Sequence, residues 1–301
     1  MIAGMSREMS IDTPINFSFR HTVSSHGWSD LLPFELDETA GTLSYVFTDN
    51  KSGTPFRAKI RADGEACLKI EFPDANVEEK RLVSDVRHIL RLDDDLLPFY
   101  SVIKNENGLA WIATANAGRL LRSPTVFEDL VKTLCTTNCS WGLTRNMVTN
   151  LVQKLGEPSA GGSRAFPTPE SLARVSTDFF RNEIRAGYRS PYFTELAQSI
   201  AEGKLDPDSW LRSDLPTAEL KKEIKTVKGV GDYAADNLLK LLGRYDGLAL
   251  DSWLRAEFYK KYNAEKVCAD KKIEKRYKKF GKWRGLAIWC DMTERWFDEG
   301  L

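Results

Sequence analysis

The chain has 301 residues, 42% hydrophobic and 29% charged, with 43 Lys+Arg against 43 Asp+Glu and no formal net charge at pH 7. This length allows a substantial core in one large or two smaller domains, and the composition excludes a disordered or fibrous chain. No uncharged apolar run could span a bilayer and residues 1–8 contain no apolar leader core, so a protein without membrane contact, in the cytoplasm, nucleoid or nucleus, is expected.

Residues 15–73 read as strands. Residues 17–19, 42–47 and 66–72 alternate or are β-rich, with turn signals at Asp49-Asn50, Ser52-Gly53 and Asp63-Gly64 between them. From Val77 the period becomes helical, placing Val83, Val86, Ile89 and Leu90 on one face. Ser123-Pro124 predicts a helix start, and further helices are expected from Gly142 to Gly156 and over 179–184, 191–202 and 284–297. Antiparallel sheet first and helices afterwards predict an α+β fold: an N-terminal β-rich domain with a helix over 1–115, then a mostly helical domain over 116–301.

The cysteines, Cys67, Cys135, Cys139, Cys268 and Cys290, are odd in number and scattered, which fits reduced thiols. Cys135 and Cys139 share a helix face, but no further Cys or His lies nearby to complete a metal site, and none is expected. Between 257 and 284 there are eleven Lys or Arg against four Asp or Glu, a local excess of seven positive charges. That stretch suits either a DNA-facing patch or the solvated face of a charged helix.

The run Val227-Lys228-Gly229-Val230-Gly231-Asp232-Tyr233 separates an amphipathic stretch from a second helical pattern, predicting two helices around a tight hairpin over about 219–243. Glycine tolerates the positive φ of such a turn, and a helix starting there offers free N–H groups and a positive dipole end to a phosphate. Asp251 then stands twenty residues past Gly231 in an otherwise apolar run. Leu250-Asp251-Ser252-Trp253 also reads as a helix N-cap, a role compatible with catalysis because capping keeps the carboxylate ionised.

Gly229-Val230-Gly231 with Asp251 downstream resembles the signature of the helix-hairpin-helix DNA glycosylases. The resemblance implies that the backbone of Lys228, Gly229, Val230 and Gly231 grips DNA phosphate, with a monovalent cation as an additional ligand of the hairpin, and that Asp251 is the essential acid. Gly118-Arg119-Leu120-Leu121-Arg122, Thr136-Thr137-Asn138 and Gly187-Tyr188-Arg189 resemble the 8-oxoguanine glycosylase branch. There the matching residues fill the gap left by an extruded base and contact its partner, roles that would fall on Asn138, Tyr188 and Arg189. Lys282-Trp283-Arg284-Gly285 and the residues after it resemble the last helix of that branch and of the 3-methyladenine glycosylase II branch. An iron–sulfur cluster held by four C-terminal cysteines in some relatives is not expected, since only Cys268 and Cys290 follow the hairpin.

The sequence departs from the bifunctional pattern at one position. Tyr233 stands where those members carry a lysine that attacks the sugar, and a phenol cannot form an imine. A monofunctional enzyme follows; a trapped amine adduct would direct attention to Lys228 or Lys240. The base pocket is expected from Tyr233, Asn237, Ile288, Trp289 and Met292. Tyr233 would stack on a cationic alkylated purine, and apolar Ile288 argues against 8-oxoguanine. The expected function is hydrolytic excision of a flipped damaged base, an alkylated purine above all, by a monomer acting on double-stranded DNA. The alternatives are excision of oxidised or deaminated bases, and non-catalytic binding of distorted DNA.

Overall fold

A computed structural model of the chain describes residues 6–74 and 77–298. The first five residues of the segment read above for a leader lie outside it. Five antiparallel strands, β1 (Ser6–Asp12), β2 (Glu35–Asp37), β3 (Thr42–Thr48), β4 (Pro55–Ala62) and β5 (Cys67–Pro73), form one sheet in the order β1-β5-β4-β3-β2. The two-residue period sets its faces. Phe56, Ala58 and Ile60 of β4 and Leu68, Ile70 and Phe72 of β5 are buried, with Ile60 paired to Ile70 in register. The other face is charged, and cross-strand pairs such as Arg57–Glu35 at 2.6 Å and Arg61–Glu8 at 2.7 Å run over it.

Residues 17–19, expected as strand, are not part of the sheet. The Ser18 side chain accepts from the His21 amide and starts a short helix, Phe19–Val23. The apolar, polar, apolar order there arises because Phe17 and Phe19 both reach the core, from a loop and a helix start. Strand β1 precedes the 15–73 stretch expected to be β-rich, and β2 and β4 lie within it between the expected segments. The helix expected at Ser123-Pro124 begins two residues later, at Val126, because Thr125 is the side chain that caps it.

Helices follow the sheet, and one hydrophobic core runs through both, from Ile11 to Met292, across the boundary placed at 115/116. Buried Arg91 ties the halves together. Its guanidinium donates to the Leu120 carbonyl at 2.9 Å and to the Lys240 carbonyl at 3.1 Å. The C-terminal end of the Asp232–Leu241 helix is thereby fixed to the N-terminal half. The last long helix, expected over 284–297, is Arg284–Thr293, and a break at Glu294 sets off a short final turn, Arg295–Asp298.

Candidate active site

The hairpin joins the Thr217–Ile224 and Asp232–Leu241 helices. Gly229 sits at φ +87, and a Cβ there would come within 2.4 Å of the Tyr192 ring. The Val230 amide donates to the Val227 carbonyl at 3.0 Å and its side chain is buried, so the turn is anchored from beneath. Gly231 is the exposed N-cap of the second helix and supplies no capping side chain, leaving the first-turn amides free of one. Lys228 is exposed and pairs with Glu195 at 2.8 Å.

Beside this helix lies a cavity of about 610 Å³, whose wall includes Tyr233, Asn237, Lys240, Asp251, Trp253 and Trp289. Trp28, Trp141 and Trp296 complete an unusually aromatic lining. Trp289 and Trp296 both pack against Trp253, at ring-centroid distances of 5.8 and 5.4 Å. Trp141 lies over Gly27, where any side chain would collide with its indole.

Asp251 reaches this wall through a constrained loop. Gly285 donates its amide to the Tyr245 carbonyl at 2.7 Å, and a Cβ at Gly285 would stand 2.0 Å from the Gly247 carbonyl oxygen. The loop therefore crosses the last helix at its one glycine-lined contact. Ala249 adopts φ +50, a conformation unfavourable for a residue with a Cβ, just before the acid. Asp251 is also the N-cap of the Ser252–Tyr262 helix, accepting from the Leu254 amide at 2.6 Å. One carboxylate oxygen is thus held by the backbone while the residue faces the cavity.

The neighbouring groups are tuned by burial. The Tyr233 hydroxyl lies 3.4 Å from Thr136 Oγ1, and desolvation, reinforced by the Asp251 charge, pushes its pKa up, so it remains a neutral phenol. Asn237 donates to the Tyr233 carbonyl at 2.9 Å. Lys240 is buried, and desolvation pulls its ammonium down to about 8 against the attraction of Asp251 and Asp236. Its Nζ lies 4.3 Å from the centre of the Trp289 ring. Burial lowers His26, also on the wall, to about 3.

Of the residues expected around the base, Tyr233, Asn237 and Trp289 are on the cavity wall, whereas Ile288 and Met292 are not. Both are buried in the hydrophobic core behind that wall. Trp296, seven residues past Trp289 and not among the expected pocket residues, also lines the cavity and packs edge-on against Trp289. Lys240, expected only as an alternative amine, follows Tyr233 and Asn237 on one helical stripe, a spacing that could have identified it.

Asn138, Tyr188 and Arg189 converge at a separate edge. Asn138 is exposed at φ +45, with its amide 3.5 Å from the Tyr188 hydroxyl, and Tyr188 is 51% exposed. Arg189, expected to contact a partner base, is buried instead. Its guanidinium donates to the Leu134 carbonyl at 3.1 Å and to Thr137, satisfying carbonyls at the end of the Val126–Thr136 helix. Through Nε and Nη2 it holds the loop that carries Asn138. The basic stretch after 257 is partly self-neutralised, with Lys260 on Glu257, Lys261 on Asp291 and Lys279 on Glu106.

A glycine hairpin, a capped aspartate and an aromatic cavity between them, behind an N-terminal antiparallel sheet, give this chain the fold of the helix-hairpin-helix DNA glycosylases. The 3-methyladenine DNA glycosylase from Archaeoglobus fulgidus superposes with a TM-score of 0.76 over 96% of this chain and 99% of that one, at 16% identity. An 8-oxoguanine glycosylase/lyase from Clostridium acetobutylicum, in its apo form, does so at 0.71 over 96% and 98%, at 20% identity. A Schizosaccharomyces pombe 3-methyladenine DNA glycosylase bound to abasic DNA matches at 0.52 over 64% of this chain and 94% of its own, at 17% identity. No family model and no curated protein matches the sequence.

Proposed function

We propose that this protein is a monofunctional DNA glycosylase that extrudes a damaged purine from double-stranded DNA and hydrolyses its N-glycosidic bond. The observation that carries the reading is the position of Asp251, a backbone-held carboxylate on the wall of a tryptophan-lined cavity that also contains Tyr233. As the base departs, the sugar becomes cationic. A fixed carboxylate in a desolvated site stabilises that charge and orients the attacking water. Tyr233 supplies an aromatic face and no amine, so the sugar is released by water and not through an imine at this position.

The hairpin amides take up phosphate, with a monovalent cation on its carbonyls, while exposed Tyr188 and Asn138 occupy the gap in the duplex. The aromatic lining offers stacking faces to an extruded purine, and the protein acts as a monomer. The experiment is incubation with duplexes carrying 3-methyladenine, 7-methylguanine, hypoxanthine, uracil or 8-oxoguanine, half of each product then treated with hot alkali. Strand breaks only after alkali support the reading, and breaks without alkali overturn its monofunctional part. Binding without release from any duplex replaces it with a non-catalytic binder of distorted DNA.

A further inference from the structure

Lys240 occupies a position where an ordinary core would have an apolar residue. It is 4% exposed, and its neighbours Leu238, Leu239 and Leu241 are buried leucines. Among the described residues its Nζ makes no ion pair or hydrogen bond, and its close companion is the face of Trp289 at 4.3 Å. A buried ammonium without acceptors is costly, whereas leucine or methionine would fill the same space without that penalty. The side chain is buried but its Nζ is not sealed off, and because Lys240 is on the cavity wall the charge is offered to whatever occupies that cavity.

The helix spaces its wall residues along its axis. Tyr233, Asn237 and Lys240 fall at i, i+4 and i+7 on one stripe, and seven residues rise by about 10 Å. Tyr233 is in the first turn, next to the hairpin, and Lys240 is at the far end, which Arg91 ties to the N-terminal half. A base stacked on Tyr233 and extending along this stripe meets Lys240. This spacing also sets Lys240 apart from the first-turn position at which a lysine would attack the sugar.

We infer that Lys240 is a specificity-determining residue that donates to the C6 oxygen of the extruded base, so that the pocket takes 6-oxo purines in preference to 6-amino purines. This deepens the glycosylase reading and rests on it for the identity of the ligand. An ammonium has three donors and no acceptor. A 6-oxo group accepts from it, whereas a 6-amino group presents a donor to a donor and leaves both unsatisfied in a desolvated site. The nearby His26 does not compete as an acceptor through Nε2, which lies 2.5 Å from the Leu121 carbonyl and gives its proton there. The ammonium also repels a cationic ring. Hypoxanthine, neutral and 6-oxo, therefore ranks above 7-methylguanine, and 7-methylguanine above 3-methyladenine, which is both cationic and 6-amino.

The test measures binding apart from chemistry. Full-length Asp251→Asn protein is titrated with one duplex carrying hypoxanthine and an identical duplex carrying 3-deaza-3-methyladenine, a neutral 6-amino analogue. A preference for hypoxanthine of about tenfold or more is expected. In Asp251→Asn/Lys240→Met that preference falls to within about threefold, through weaker binding of hypoxanthine. Asp251→Asn/Lys240→Gln, whose amide can present either a donor or an acceptor, binds both duplexes within about threefold and serves if the methionine variant does not fold. No preference in the first protein, or a preference that survives both Lys240 changes, overturns the inference. Wild-type protein that excises neither base, together with a Lys240-dependent binding preference, removes the enzyme reading and leaves the inference standing.

Discussion

Gly229 and Tyr192 are in direct register: the glycine Cα faces the tyrosine ring so closely that a Cβ would lie 2.4 Å from its Cδ2. The hairpin therefore needs glycine twice over, for φ +87 and for this ring. Tyr192 in turn packs edge-on against Tyr188, at 6.1 Å between centroids, so the hairpin and the exposed tyrosine share one support.

Gly229→Ala should lower stability by about 1–3 kcal/mol, combining backbone strain with overpacking, and should weaken DNA binding in parallel. Adding Tyr192→Ala removes the collision and leaves the strain. Thermal unfolding and duplex titration of the single and double variants should show partial recovery only.

Asp251→Asn should abolish turnover, a loss of at least about a hundredfold, with binding of damaged duplex retained. Its melting temperature should stay close to wild type, because asparagine also caps helices. Asp251→Ala should lose both turnover and about 1 kcal/mol of stability through the vacated bond to the Leu254 amide. The two variants together separate the cap from the chemistry.

Arg189→Ala should act on folding. It removes the charged donor shared by the Leu134 and Thr137 carbonyls, which keep their bonds from Thr137 and Tyr188, at a cost of about 1–3 kcal/mol. Chemical denaturation should register this loss, while the relative preference for the base opposite the lesion stays unchanged. Tyr188→Ala, at an exposed site, should shift stability by less than about 0.5 kcal/mol yet reduce excision or lesion binding several-fold.

Discrimination by Lys240 should depend on pH. Lys240 is lowered to about 8 by burial, with Asp251, Asp236 and Cys290 acting in the other direction. Below that value it is an ammonium that only donates. Above it the neutral amine also accepts, and the preference for 6-oxo over 6-amino lesions should decline between about pH 8 and 9. The sign for stability is fixed as well: the unfolded chain binds this proton more tightly, so the residue's destabilisation is complete below the folded pKa and is relieved as pH rises toward the ordinary lysine range. Titrating the binding ratio of Asp251→Asn protein from about pH 5.5 to 9.5 checks the first effect, with the decline moved below the wild-type range because the Asp251 charge that raises Lys240 is gone, and with Lys240→Met flat throughout.

Local chemistry was legible in the amino-acid order. The glycine pair defines the hairpin because few residues accept its backbone angle, and Asp251 declares both a cap and an acid by its place before Ser252-Trp253-Leu254. The antiparallel sheet and later helices follow from a period that changes after Pro73. The strand expected at 17–19 shows the limit, since alternation over three residues fits a loop and helix start equally well.

Only the tertiary structure decided which faces look inward at the cavity. Ile288 and Met292 lie on one stripe of the last helix, Trp289 on the next, with Trp296 beyond the break, and hydrophobicity alone cannot tell a core stripe from an aromatic pocket wall. Arg189 is likewise an ordinary surface cation in sequence until a helix end from residue 134 delivers carbonyls to it. Lys240 becomes significant only when Trp289, nearly fifty residues later, closes over its ammonium. Sequence determines what each segment can do locally, through backbone preference and spacing. Charge burial and pocket shape depend on contacts between distant segments, which packing alone establishes.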